Sequence, residues 1–150
     1  MKLVPEHMEL AFAEAVAAGE RGEVPVGAVI VGETGEVLAR AGNRVKELRD
    51  PTAHAEILAI RAACRKLGGE RLPGCDLFVT LEPCPMCATA ISYARIRRLY
   101  FAADDEKMGG VHHGPRIFTQ PTCHHRPEIY DGLGAERARE LLKCFFRERR

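Results

Sequence analysis

His54, Glu56, Cys84 and Cys87 are the residues of this chain whose types and spacing point to chemistry. His54-Ala55-Glu56 and Pro83-Cys84-Pro85-Met86-Cys87 together supply three zinc ligands and one carboxylate that is not a ligand. The ligand count matters, because structural zinc sites are closed by four Cys or His side chains, whereas catalytic sites use three and leave the fourth position to water. Two thiolates and a neutral imidazole bring a bound Zn²⁺ to about zero formal charge, so the metal stays a Lewis acid able to activate water near neutral pH. Glu56, two residues beyond His54, is expected to carry the proton from that water to a leaving group.

Either half alone has a plainer reading. A lone CxxC can be a redox pair or half of a structural zinc site, and a Glu in a first helical turn can simply complement the helix dipole. Joined, H-x-E and P-C-x-x-C form the signature of zinc nucleobase deaminases.

The elements that must position these residues can be read from pattern. A first amphipathic helix is expected from about Pro5 to Ala18, with Met8, Phe12, Ala15 and Val16 on one side and Gly19 as its stop. Residues 26–31 and 37–41 read as a hairpin around the turn at 33–36. Asp50-Pro51-Thr52 should break the chain and cap a helix from about Ala53 to Leu67, ended by Gly68-Gly69, with His54 and Glu56 in its first turn. The pattern repeats: a buried strand at 76–81, a break at Glu82-Pro83, and a helix opened by Cys84 and running to about Ala94. Both cysteines then sit at a positive helix end, which favours the thiolates zinc requires. Residues 98–102 make a fourth strand, 127–130 a short fifth, and Ala138, Leu141, Leu142 and Phe145 stripe a final helix.

Between about Asp104 and Arg126 the chain has no clear periodicity. Lys107, His112, His113, Arg116, Phe118, Gln120, His124, His125 and Arg126 interleave cationic, hydrogen-bonding and aromatic groups there, a mixture suited to phosphates and unstacked bases. A second metal site at the paired histidines is an alternative, and an ordinary polar surface the plainest one.

Composition sets the outer bounds. The 150 residues, 46% hydrophobic and 29% charged, fit one domain. The N-terminal segment lacks a signal-peptide run and no stretch reaches membrane-spanning length, so a soluble cytoplasmic protein is expected. Of six cysteines, Cys64, Cys75, Cys123 and Cys144 follow no disulfide framework and read as reduced thiols. A net charge of +1 excludes bulk electrostatics as an argument for a nucleic-acid partner. Arg137, Arg139, Lys143, Arg147, Arg149 and Arg150 do make the C-terminal end basic, although such an end is often only a solvated helix face.

The chain resembles the bacterial tRNA adenosine deaminases over essentially its whole length. The resemblance is carried by residues 23–29, Asn43-Arg44, residues 50–56, residues 79–84, Asp105-Glu106-Lys107, His125-Arg126 and Phe145-Phe146-Arg147. It implies an α/β fold of the cytidine-deaminase-like type, a three-layer sandwich with a mixed five-stranded sheet, parallel at its fourth and fifth strands, and helices on both sides. It also implies one zinc per subunit, a homodimer, and conversion of the wobble adenosine of an arginine tRNA to inosine. Under it, Asn43 would hydrogen-bond the flipped base, and Lys107, His125, Arg126 and Phe146 would touch the anticodon stem-loop. Two segments depart from the family pattern: Pro85, where many members have Val and some free-base guanine deaminases have Pro, and residues 108–114. Two rival readings follow, a deaminase of free guanine or cytosine, and a non-catalytic zinc or RNA-binding module closed by a fourth ligand from His112, His113, Cys123, His124 or His125.

Overall fold

In the computed structural model, which describes residues 5–149, a five-stranded sheet lies between two layers of helix. Helix α1 (Glu6–Glu20) leads into β1 (Gly27–Val31) and β2 (Val37–Gly42). A single turn α2 (Val45–Leu48) and helix α3 (Ala55–Leu67) follow, then β3 (Asp76–Leu81), α4 (Pro85–Tyr93) and β4 (Arg98–Ala103). A 3₁₀ turn (Ile117–Thr119), β5 (Glu128–Tyr130) and α5 (Ala135–Glu148) complete the chain. The strand order is β2-β1-β3-β4-β5, with β1 antiparallel to both neighbours and β3, β4 and β5 parallel. The expected mixed sheet and parallel fourth and fifth strands are therefore present.

Period-two alternation divides the core between the two faces. Ala28, Ile30, Leu77, Val79, Leu99 and Phe101 pack with Ala55, Ala59 and Ala63 of α3 and Ala88 and Ile91 of α4. Val29, Val31, Phe78 and Ala102 meet Met8, Ala11 and Phe12 of α1 and Ala138 of α5. Gly27 and Gly42 face each other in the β1–β2 register, and both lie under α1. A Cβ on Gly27 would stand 2.0 Å from the Ala11 carbonyl oxygen, and one on Gly42 2.7 Å from that of Glu14. The paired glycines thus let the helix backbone rest directly on the sheet.

Several expected boundaries shift, each for a local reason. Gly19 lies inside α1, and the left-handed residue that ends the run is Gly22. Val16 is 40% exposed, its place on the buried stripe taken by Ala11 and Ala18. Asp50 does not cap α3: its carboxylate accepts from the backbone and hydroxyl of Thr52 and closes the turn, so α3 begins at Ala55 with His54 as its N-cap residue. The 104–126 segment is folded back on the protein. Gly109, Gly110, Val111 and Phe118 are buried, and Phe118 belongs to the core, not to a base-contacting surface.

Candidate metal centre

Two helix starts converge to build the site. His54 is the N-cap residue of α3 and Cys84 the N-cap residue of α4, both in extended backbone, and Cys87 lies one turn into α4. Pro85 occupies the first position of α4, where the missing N–H costs nothing because that amide has no intrahelical partner. His54 Nδ1 lies 3.6 Å from Cys84 Sγ and 3.5 Å from Cys87 Sγ. Ligands at zinc distances of about 2.05 Å for nitrogen and about 2.3 Å for sulfur, set at tetrahedral angles, are separated by about 3.6 Å. The donor set therefore fits a zinc ion in both chemistry and spacing. Among the described residues, the group contains His54, Cys84 and Cys87 alone, so none of the five candidate fourth ligands joins it. The arrangement is that of a catalytic site with a position left over.

Electrostatics agree with geometry. The Cys84 thiol is lowered to about 4, chiefly by its hydrogen bond with Cys87 and then by His54. The same bond, with burial, drives the Cys87 thiol upward, toward its protonated form. Hydrogen bonding to Cys84 raises His54. A divalent cation replaces these protons, since it binds thiolates and neutral imidazole. Glu56, in the first turn of α3, is 4% exposed, and burial pushes its carboxyl up to about 7. A carboxyl titrating near neutrality can take up and release protons under working conditions.

Asn43 stands beside these residues at the end of β2. Its side-chain oxygen accepts the Ala55 N–H at 2.8 Å and its amide nitrogen donates to the Val24 carbonyl at 3.1 Å. One amide hydrogen remains for a ligand. The first amide of α3 is thereby satisfied by a residue twelve positions upstream, next to His54 in sequence.

The other expected contact residues are not brought together with this cluster by any direct bond. Lys107 and Arg126 are exposed. Phe146 is 49% exposed on α5, edge-on to Phe145 at 5.2 Å. His125 is half-buried, its Nε2 donating to the Ile96 carbonyl at 2.6 Å, which leaves only Nδ1 for another partner. Among the described residues, the histidine pairs are not grouped with each other, and His113 lies with the acidic side chains of Asp104 and Glu106.

Two buried carboxylates escaped the sequence reading. Glu23 accepts the N–H groups of Lys46 and Glu47 and caps α2, which holds the chain leading to His54. Glu82, placed from sequence in a break and in the 79–84 segment of the family resemblance but given no role, has a fully buried side chain. Its one visible signal is a charged residue directly after the buried strand, just before Pro83-Cys84.

Residues 1–103 match the family described as the cytidine and deoxycytidylate deaminase zinc-binding region. The chain is 63% identical over 143 residues to the tRNA-specific adenosine deaminase of Agrobacterium fabrum, covering 95% of this chain and 93% of that one. It belongs to the tRNA-specific adenosine deaminase family. A solved structure from a study of A-to-I editing by tRNA:A34 deaminases at the wobble position of transfer RNA superposes on this family member with a TM-score of 0.89. The two are 62% identical, over 91% of this chain and 98% of the other. Guanine deaminase from Nitrosomonas europaea shares the fold at a TM-score of 0.80 and 26% identity, over 97% of this chain and 86% of that one. The zinc-binding match ends with β4, so the irregular segment and α5 lie beyond what this member shares with that broad family description.

Proposed function

We propose that this chain converts adenosine at the wobble position of a tRNA, an arginine tRNA foremost, to inosine and ammonia, acting in the cytoplasm as a homodimer. The observation that carries the reading is the three-ligand group of His54, Cys84 and Cys87 beside the buried carboxyl of Glu56. Zinc held by those three residues supplies Lewis-acid activation of water at neutral pH. Glu56 takes the water's proton, delivers it to the ring nitrogen next to the amino-bearing carbon, and carries a second to the departing amine. Water's oxygen replaces the amine on the ring, and the C–N bond breaks with loss of ammonia. Asn43 orients the base through its remaining amide hydrogen.

The base has to leave its stack to reach a site of this kind, and an anticodon loop lowers that cost because its bases are already unpaired. Lys107, Arg126 and Phe146 offer two cations and an exposed ring to the anticodon stem-loop, with His125 offering Nδ1. Homodimerisation is supported by an apolar face on α3 and α4, where Ile57, Met86, Ala90 and the 76% exposed Tyr93 line one cleft.

A second reading, deamination of free guanine, draws on the guanine deaminase fold likeness and on Pro85. One experiment separates the two: purified protein is given an arginine tRNA with adenosine at the wobble position alongside free guanine, adenosine and cytidine. Inosine in the tRNA is the expected result, and ammonia from a free base alone would overturn it.

A further inference from the structure

Glu82 is a second buried carboxylate near the metal centre, two residues before Cys84 and with no part in the proton transfers assigned to Glu56. One oxygen accepts the backbone N–H groups of Val111, His112 and His113 at 3.1, 3.0 and 3.2 Å. The other accepts the Asp105 N–H at 3.0 Å and His113 Nδ1 at 2.8 Å. All five donors come from residues 105–113. A buried carboxylate without such partners would be strongly disfavoured, so the anion and the loop's conformation require each other.

The backbone repeats the attachment. Gly110 N–H donates to the Pro83 carbonyl at 2.8 Å, and a Cβ on Gly110 would stand 2.6 Å from Pro85 N and 2.8 Å from the Cys84 carbonyl carbon. A Cβ on Gly109 would stand 2.3 Å from a Glu82 oxygen. The segment is therefore seated on the turn that bears Cys84 with no side chain between them. Lys107 is the exposed cation of this segment, its own N–H turned in to the Asp105 carboxylate at 3.1 Å.

We propose that Glu82 is a positioning residue: it locks the 105–113 loop onto the metal-bearing turn, so that Lys107 meets the RNA in fixed register with the metal centre. The inference rests on the tRNA reading above. Glu82→Gln is nearly isosteric, yet either amide orientation points N–H groups at backbone N–H groups, because both oxygens now face donors.

The test is a kinetic cycle on the zinc-loaded protein with tRNA, combining Glu82→Gln and Lys107→Ala. Glu82→Gln is expected to keep its zinc and hold kcat within about threefold while raising KM about tenfold. In the Lys107→Ala background the same substitution should change KM by less than about threefold, because the contact it aligns is gone. Full multiplication of the two effects, an unchanged KM, or loss of zinc with a collapse of kcat would each overturn the inference. Should Glu82→Gln fail to fold, His113→Ala removes one donor of five and should show the same coupling at about threefold in KM. An inactive wild-type protein would count against the tRNA reading; an active one lets the cycle decide on Glu82.

Discussion

Asn43 is bonded to the helix start that bears His54: its side-chain oxygen receives the Ala55 N–H at 2.8 Å, next to His54 in sequence. The bond ties the end of β2 to the start of α3 and fixes the backbone from which the imidazole projects. Asn43→Ala should cost about 1 kcal/mol or more through the lost hydrogen bond, and should also weaken zinc retention because His54 is no longer held. Denaturant melts and zinc competition by a chelator check both effects. An Asn43→Ala protein with wild-type zinc affinity would confine the residue's role to the substrate.

Glu56 lies beside the ligand group of His54, Cys84 and Cys87 without being a member of it. Glu56→Ala is expected to bind one zinc per chain while turnover falls on the order of a hundredfold or more. Metal analysis and single-turnover rates measure the two quantities separately. Ordinary turnover by the variant would remove the proton shuttle from the mechanism.

His113 provides a pH signature at a distance from the ligands. Its hydrogen bond with Glu82 comes first, and the Glu82 and Asp104 charges add to it, so the imidazole is held above its ordinary value near 6.5. A raised folded pKa gives stability that is complete below the unfolded value and fades as pH rises through the folded one. Burial alone would raise Glu82, but hydrogen bonds from Asp105, His113, Val111 and His112 outweigh it and hold the carboxyl low. The Glu82 contribution is therefore present above the ordinary carboxylate range and lost only in stronger acid. Wild type should exceed His113→Gln in stability by most in mildly acidic solution and by progressively less above neutrality. Urea midpoints of the two proteins from pH 5.5 to 8.5 test this, and a constant difference would rule it out.

RNA binding by α5 should be visible in salt dependence. Arg137 pairs with Glu9 at 2.8 Å and Arg139 with Asp104 at 3.0 Å, whereas Lys143 and Arg147 are exposed on the same helix. If those two meet phosphates, replacing either by alanine should reduce the slope of log kcat/KM against log salt by roughly 0.7 to 1. Replacing Arg137 should leave the slope alone and loosen the α1–α5 contact, where it also stacks over Phe12 at 4.2 Å. Equal slopes in all variants would take α5 out of the RNA interface.

The sequence by itself determined the chemistry of the centre. His54 with Glu56, and Cys84 with Cys87, are local pairs, because a helix N-terminus brings residues of short separation to one place; the meeting of the two helix starts, 30 positions apart, is a tertiary fact. The strands were legible only as apolar runs, and which side chain faces which helix layer came from the structure, where successive side chains point to opposite sides. Only the tertiary structure decided what depends on residues far apart in the chain. Asn43 rather than Asp50 meets the first amide of α3, Phe118 goes to the core rather than the surface, and Glu82 holds a loop more than twenty positions away. Each is a hydrogen bond or a packing contact made across the fold, and no local propensity or period encodes which distant partner will arrive.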